Sequence, residues 1–262
     1  MKYGFIGCGN MGGAIARALA KVTTDIMITD RSGKAKPLAE ELNCAYADAQ
    51  TVAQECDRIF LAVKPQMMAG VLAPLQTILQ KRKPLLITMA AGLEIKTIAA
   101  MTDDTIPVIR IMPNTPVTIG KGMTVYCYNP YVESNILEDT LQDMRFTGKL
   151  DYLEERLIDA ASALSGSGPA YMYMFLEALA DGAVACGIPR AKAIEYAAAT
   201  MVGSAEMLMA TRRHPGELKD AVCSPGGSTI VGLNELEQRG FRGAVMNCVI
   251  AAHRKNQELG KQ

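Results

Sequence analysis

Up to Leu150, short β-branched runs alternate with stretches whose apolar residues recur at helical spacing. The runs Tyr3–Ile6, Asp25–Thr29, Arg58–Val63, Leu85–Met89, Pro107–Ile111 and Met123–Tyr128 predict six strands. Several are apolar at consecutive positions, as expected of strands covered by helices on both faces of a parallel sheet. Strand, helix, strand in repetition predicts an α/β fold with a doubly wound sheet. Past Leu150 the strand runs give way to segments rich in Ala, Leu and Met. One helix is expected after Gly166-Ser167-Gly168-Pro169, with Ser167 as its N-cap and Gly187 as its stop. A second runs from near Pro189 to before His214. Its Ile194, Ala198, Met201, Ala205 and Leu208 are spaced four, three, four and three residues apart, a seam suited to packing helix on helix. Two more are expected over Thr229–Gln238 and Gly243–Leu259. The expected organisation is a sheet domain over residues 1–151 and a helical domain over 152–262.

Composition narrows the functions open to such a chain. Its 262 residues carry 27 Lys plus Arg against 27 Asp plus Glu, so no basic surplus points to nucleic acid. With 49% hydrophobic and 21% charged residues, it can bury a sizeable core. The longest nearly apolar stretch, around Leu85–Leu93, is too short to cross a bilayer, so no membrane partner is expected. Met1 runs directly into an expected strand, so we expect no signal peptide and a cytoplasmic location. Seven scattered cysteines without a C-x-x-C pair read as reduced thiols, not as a disulfide framework or a zinc site. His214 and His253 are the only histidines, which excludes H-E-x-x-H metal hydrolysis; both read as surface or capping residues. No metal site is expected.

Gly7-Cys8-Gly9-Asn10-Met11-Gly12 fits G-x-G-x-x-G, directly after a strand and opening an alanine-rich helix, Ala14–Lys21. The first glycine permits the tight turn, the second lets a pyrophosphate approach backbone, and the third lets helix pack on strand. The helix N-terminus then offers free N–H groups to the anion. This makes residues 1–151 a dinucleotide-binding domain of the Rossmann type. Asp30 follows Gly12 by eighteen residues, where an acid grips a ribose 2′-hydroxyl and favours NAD. Capping the local turn is the plainer role for Asp30. Arg31 and Ser32 come next, then Lys34 and Lys36, and these suit a 2′-phosphate. We expect NADPH as cofactor, with NADH also accepted.

Ligands of open α/β sheets sit beyond the carboxyl ends of the strands. Three such ends are unusual: Ala62-Val63-Lys64-Pro65, Met89-Ala90-Ala91-Gly92 and Met112-Pro113-Asn114-Thr115-Pro116. Lys64 can neutralise a cofactor phosphate or extend into solvent, and Asn114 can be a turn residue and nothing more. A second glycine loop, Cys223-Ser224-Pro225-Gly226-Gly227-Ser228-Thr229, feeds a helix. Bare backbone at a helix N-terminus binds a carboxylate or phosphate without a cation. The alternative is an interhelical loop whose Ser or Thr caps the helix.

Together these segments carry a resemblance. Gly7–Gly12, Ala62–Pro65, Arg110-Ile111-Met112-Pro113-Asn114-Thr115-Pro116, Leu164-Ser165-Gly166-Ser167-Gly168-Pro169-Ala170-Tyr171 and Ser224–Thr229 resemble Δ1-pyrroline-5-carboxylate reductases over nearly the whole chain. The resemblance implies NAD(P)H-dependent reduction of a cyclic imine to L-proline, the last step of proline biosynthesis. It also implies a Rossmann domain followed by an all-helical dimerisation domain, with two chains interlocked through those helices. It further implies assembly of dimers into decamers and an active site that draws on both subunits. Residue by residue, it points to Thr229 as catalytic partner of the imine nitrogen. Glu155, Ser224, Gly226, Gly227 and Ser228 fall at substrate-contacting positions. Gly7, Gly9, Asn10, Met11, Gly12, Arg31, Ser32, Val63, Lys64, Pro65, Ala91 and Gly92 fall at cofactor-contacting ones. Ala49 and Ala221 depart from the pattern, standing where relatives can offer an asparagine to the cofactor; Cys223 replaces a common Ser or Thr.

The implied reaction suits a chain poor in acid–base groups. Hydride attack on C=N is easiest when the nitrogen is already protonated, so the protein must mainly position the reactants. A hydroxy-acid dehydrogenase on the same plan would want a Lys or His facing the nicotinamide, and Ser165–Leu176 holds neither. A cofactor-sensing binding protein without catalysis would have no need of the Ser224–Thr229 loop. Cys8 and Cys223 flank the two loops and read as structural thiols. The methionines read as core or interface filler.

Overall fold

The computed structural model describes residues 1–31, 33 and 35–259. Two compact units emerge: Met1–Ser167 together with the chain from Ala252 onward, and Gly168–Ala251. The expected break after residue 151 would cut through a strand.

The first unit is built on eight strands: β1 (Tyr3–Ile6), β2 (Ile26–Thr29), β3 (Ala45–Tyr46), β4 (Arg58–Leu61), β5 (Leu85–Thr88), β6 (Val108–Met112), β7 (Gly122–Tyr128) and β8 (Gly148–Tyr152). Their order in the sheet is β3-β2-β1-β4-β5-β6-β7-β8. Pairing is parallel from β3 through to β6, β7 runs antiparallel to β6, and β8 returns parallel to β7. All six expected strands are present, β1 with the expected ends and the other five with one or both ends shifted by one or two residues. β3 and β8 are additional, and the antiparallel β7 interrupts the parallel pattern.

The side-chain period of two sorts β4 onto both faces. Ile59 and Leu61 enter one core with Ile6, Leu72, Leu86 and Ile98. Phe60 enters the other with Phe5, Ile15, Leu19, Ile28 and Ile87. Phe60 and Phe5 stack at a centroid distance of 4.5 Å. Two arginines interrupt these apolar strands and are buried. Arg58 donates to the Tyr3 hydroxyl and faces Asp143 at 3.4 Å and Asp139 at 3.6 Å. Arg110 reaches Asp159 at 2.6 Å and Glu155 at 3.4 Å. A guanidinium is tolerated in such a sheet only with carboxylate partners, and removing one would strand a buried charge.

The helix expected to start at Ser167 has a different origin. Residues Glu155–Ala161 form a helix, Ser162–Gly166 widen into a π turn, and Gly168–Ala185 continue helically. Ser167 lies in the right-handed helical region and its N–H donates to the Ser162 carbonyl at 3.0 Å, so it is not an N-cap. Asn114 holds this turn: its amide donates to the Ser165 carbonyl at 3.0 Å and accepts from Met123 N–H at 2.9 Å.

The second unit consists of Gly168–Ala185, Arg190–Thr211, Pro215–Ala221, Ser228–Gln238 and the first part of Phe241–Leu259. Gly187, at φ 97°, stops the first of these as expected. Among its described residues only Ala180 and Ala193 are buried, whereas Tyr173, Met174, Val202, Met209, Val231 and Met246 are more than half exposed. Ile194 of the expected seam is also exposed, while Met201 and Leu208 are half-buried. An apolar surface of this extent marks an interaction face.

Candidate active site

The strand order reverses at β1, whose neighbours are β2 and β4. The crevice beyond the carboxyl ends of β1 and β4 is the switch point where such sheets hold dinucleotides. Gly7 follows β1 at φ 98°, and a Cβ there would lie 2.6 Å from the Ala62 carbonyl oxygen. A Cβ on Gly12 would lie 2.5 Å from the Gly7 oxygen and 2.8 Å from Ala62 Cβ. Those two glycines therefore close turn, helix and β4 on one another. Gly9 differs: it is exposed, and a Cβ there would meet no protein atom within 4 Å. It leaves open the space that the backbone would offer to a pyrophosphate. The helix begins earlier than expected, at Asn10, with Gly9 as N-cap and no side chain capping it. Its first N–H groups, from Asn10, Met11 and Gly12, are those a bound anion would complete.

The other expected cofactor residues surround this crevice or follow neighbouring strands. Val63 packs toward Gly7, and Lys64 is exposed just beyond β4, with no ion pair among the described residues. Pro65 opens a short 3₁₀ turn, Pro65–Met67. Ala91 and Gly92 follow β5, with Gly92 at φ 75°. Arg31 is exposed after β2; Ser32 lies outside the described residues. The Asp30 carboxylate accepts from Ala35 N–H at 3.1 Å, the turn-capping role. Burial, assisted by the Asp30 charge, pushes the Cys8 thiol up to about 12, which leaves it a poor nucleophile.

Glu155 is tied in place. Its Oε1 accepts from Ile95 N–H at 2.7 Å, fixing the start of the Ile95–Ala100 helix, and faces Arg110. Arg110 and Asp159 were not singled out from sequence. The signal was available, because an arginine inside the run Pro107–Ile111 demands an acidic partner when the strand is buried.

The Ser224–Thr229 loop lies in the second unit. Ser224 C=O accepts from Gly227 N–H at 3.0 Å, and Gly226 has φ 70°. Proline second and left-handed glycine third make this a type II turn. A Cβ on Gly227 would lie 2.5 Å from Ser224 Oγ, so glycine lets the serine fold over the turn. Gly227 is the N-cap of Ser228–Gln238, and no side chain caps that helix. The capping alternative is thereby removed, and the helix starts at Ser228, one residue before the expected Thr229. Gly227 gives shape only, since its N–H is engaged within the turn. The Ser228 and Thr229 amides and the exposed hydroxyls of Ser224, Ser228 and Thr229 remain as donors. Cys223 Sγ donates to the Lys219 carbonyl at 3.1 Å.

His214 caps its own helix, accepting from Gly216 N–H at 3.1 Å. His253 is half-buried, and its Nδ1 is shielded without a hydrogen-bond partner. Among the described residues no group of three His, Cys, Asp or Glu side chains is placed to hold a metal, and no helix is long and apolar enough to cross a membrane.

Comparison with known proteins joins these features. The pyrroline-5-carboxylate reductase of Escherichia coli strain K12 is 40% identical over 266 residues, covering 99% of this chain and 98% of its own. The chain belongs to the pyrroline-5-carboxylate reductase family. A family model for pyrroline-5-carboxylate reductase dimerisation matches residues 155–259. Another, described as NADP oxidoreductase, coenzyme F420-dependent, matches residues 2–92. Among solved structures, Plasmodium falciparum pyrroline carboxylate reductase with NADP bound superimposes with a TM-score of 0.90 at 34% identity, covering 99% of this chain and 98% of that one. The Streptococcus pyogenes reductase gives 0.91 at 35% identity, covering 98% of each chain. The fold class, a Rossmann-type α/β sheet followed by a helical dimerisation region, is that of the family.

Proposed function

We propose that the chain is an NAD(P)H-dependent reductase that converts 1-pyrroline-5-carboxylate to L-proline, the last step of proline biosynthesis. Family membership along the whole chain carries this reading, and the two glycine loops supply its chemistry. The sheet unit, Met1–Ser167, holds the dinucleotide, and the helices of Gly168–Ala251 supply the dimer contacts and the substrate loop. Gly7, Gly9, Asn10, Met11 and Gly12 hold the pyrophosphate. Val63, Lys64, Pro65, Ala91 and Gly92 line the crevice beside it. By sequence position Arg31 and Ser32 are assigned to the ribose 2′-phosphate of NADPH, the preferred form, with NADH also accepted.

When bound, the dinucleotide supplies a hydride. The protein's own part is orientation. Ser224 and Ser228 hydroxyls and the Ser228 and Thr229 amides hold the substrate carboxylate, and Gly226 and Gly227 shape the turn; Glu155 is assigned to substrate contact by the family resemblance alone. The protonated imine N–H donates to Thr229 Oγ1, which fixes the C=N bond toward the hydride donor. A threonine hydroxyl is a poor acid, so the nitrogen brings its proton from water.

The exposed apolar surface of Gly168–Ala251 supports a homodimer interlocked through its helices, so that both copies contribute to each site. Further assembly into decamers follows from the family resemblance, and the scattered cysteines without a C-x-x-C pair support a cytoplasmic location. Incubation with pyrroline-5-carboxylate and NADPH, followed by chromatography of the product, tests the assignment. Proline formation supports it. Turnover of 2-oxo acids to hydroxy acids in its place would move the chain to the rival class.

A further inference from the structure

Asp30 follows β2, where an acidic side chain ordinarily accepts the ribose 2′-hydroxyl and repels a 2′-phosphate. Here its Oδ1 already takes part in two contacts: Ala35 N–H donates at 3.1 Å and the Tyr46 hydroxyl lies at 3.2 Å. The same hydroxyl lies 3.3 Å from the Asp30 carbonyl oxygen, so its one proton is shared between two acceptors of one residue. Tyr46 is delivered by β3, a two-residue edge strand whose register opposes Tyr46 to Ile28 of β2. The Lys36 ammonium lies over the Tyr46 ring, 5.6 Å from its centre. Gly7 N–H donates at 2.9 Å to the carbonyl of Thr29, the residue before Asp30, so the β2 turn adjoins the pyrophosphate turn.

We infer that Tyr46 is a positioning residue for cofactor choice: it holds the Asp30 carboxylate within the β2 turn, so that a phosphorylated ribose is admitted beside it. This rests on the NADPH reading above. A carboxylate that already accepts from an amide and a phenol has less capacity for a ribose hydroxyl. Its charge is also partly offset by those donors, which lowers its repulsion of phosphate.

The test is the dissociation constant of NADPH and of NADH, measured by nucleotide fluorescence on the full chain. Wild type, Tyr46→Phe, Asp30→Asn and the double variant are compared. Phenylalanine keeps the ring under Lys36 and removes only the hydroxyl. In Tyr46→Phe the ratio Kd(NADPH)/Kd(NADH) is expected to rise about five- to tenfold, the scale of one ordinary net hydrogen bond. In the Asp30→Asn background, with no charge to redirect, the same change should move the ratio less than about twofold. A ratio unmoved by Tyr46→Phe, or moved equally in both backgrounds, overturns the role of Tyr46 and leaves the cofactor reading standing. Wild-type protein that binds neither dinucleotide overturns the cofactor reading and this inference with it.

Discussion

The glycine turn after β1 makes two alanine substitutions, three residues apart, fail in opposite ways. At Gly9 the backbone is extended, φ −69° and ψ −163°, and the added methyl meets no protein atom within 4 Å. Gly9→Ala should therefore change stability by less than about 0.5 kcal/mol. It should still weaken NADPH at least about tenfold, because the methyl enters the space the pyrophosphate needs. At Gly12 the methyl would stand 2.5 Å from the Gly7 oxygen and 2.8 Å from Ala62 Cβ, inside a turn that cannot yield easily. Overpacking this close against backbone falls at the upper end of the usual range, about 2–3 kcal/mol. Alanine recovers ~1 kcal/mol of helix propensity, leaving a net loss of roughly 1–2 kcal/mol. For a chain of this size that is a fall of roughly 2–8 °C in thermal midpoint. Melting curves with and without NADPH separate the two. Gly9→Ala should melt like wild type alone and show a smaller NADPH-induced rise, since tenfold weaker binding removes about 1.4 kcal/mol of ligand stabilisation. A Gly9→Ala protein stabilised by NADPH as fully as wild type would refute the placement of the pyrophosphate.

Four further outcomes are expected. Thr229→Ala should lower kcat roughly 10- to 100-fold, about 1.4–2.7 kcal/mol, through loss of one oriented hydrogen bond; unchanged steady-state kinetics would remove Thr229 from the mechanism. Asn114→Ala should destabilise the protein by about 2–4 kcal/mol in urea titration, since Met123 N–H and Ser165 C=O both lose their partner; a change below about 0.5 kcal/mol would show that the π turn does not depend on it. At pH 8, four units below the value of about 12 for its thiol, Cys8 holds only about one part in ten thousand as thiolate, and that fraction grows as pH rises. Its alkylation by iodoacetamide, followed by mass spectrometry, should be on the order of a thousandfold slower in the native than in the urea-unfolded chain, and equal rates would deny its burial. Val231, 62% exposed in the single chain, is expected at the interface of the proposed dimer, so Val231→Asp should lower the sedimentation coefficient; an unaltered oligomer would place the interface elsewhere.

How far the fold was legible depended on where each signal resided. β1, the glycine turn and the apolar β4 and β5 runs carry their information locally, and the sequence pattern located them within one or two residues. β3 is two residues long, below any periodicity. β8 is an edge strand whose Lys149, Asp151 and Tyr152 are exposed, so its sequence lacks the apolar signature of its neighbours. The string Gly166-Ser167-Gly168-Pro169 looks like a break between helices. The chain instead passes through it in a π turn, held by Asn114 from a different element. Long-range polar pairing was the least visible layer. The partners of Arg58 and Arg110 stand 45 or more positions away in sequence, and the Asp30–Tyr46 contact depends on the register of β3. On the site itself, the helix-start amides could be anticipated from glycine spacing, whereas the absence of a side-chain cap at Gly227 required the structure.

The central claim, hydride delivery from the dinucleotide to the imine carbon of a substrate held by the Ser224–Thr229 loop, is open to one direct measurement. NADPH deuterated at the transferring position of the nicotinamide is oxidised in the presence of pyrroline-5-carboxylate, and the product is analysed by mass spectrometry. The expected product is proline with one deuterium, carried on the ring carbon bonded to nitrogen that does not bear the carboxylate. Proline without deuterium, or no NADPH oxidation with this substrate, would contradict the account.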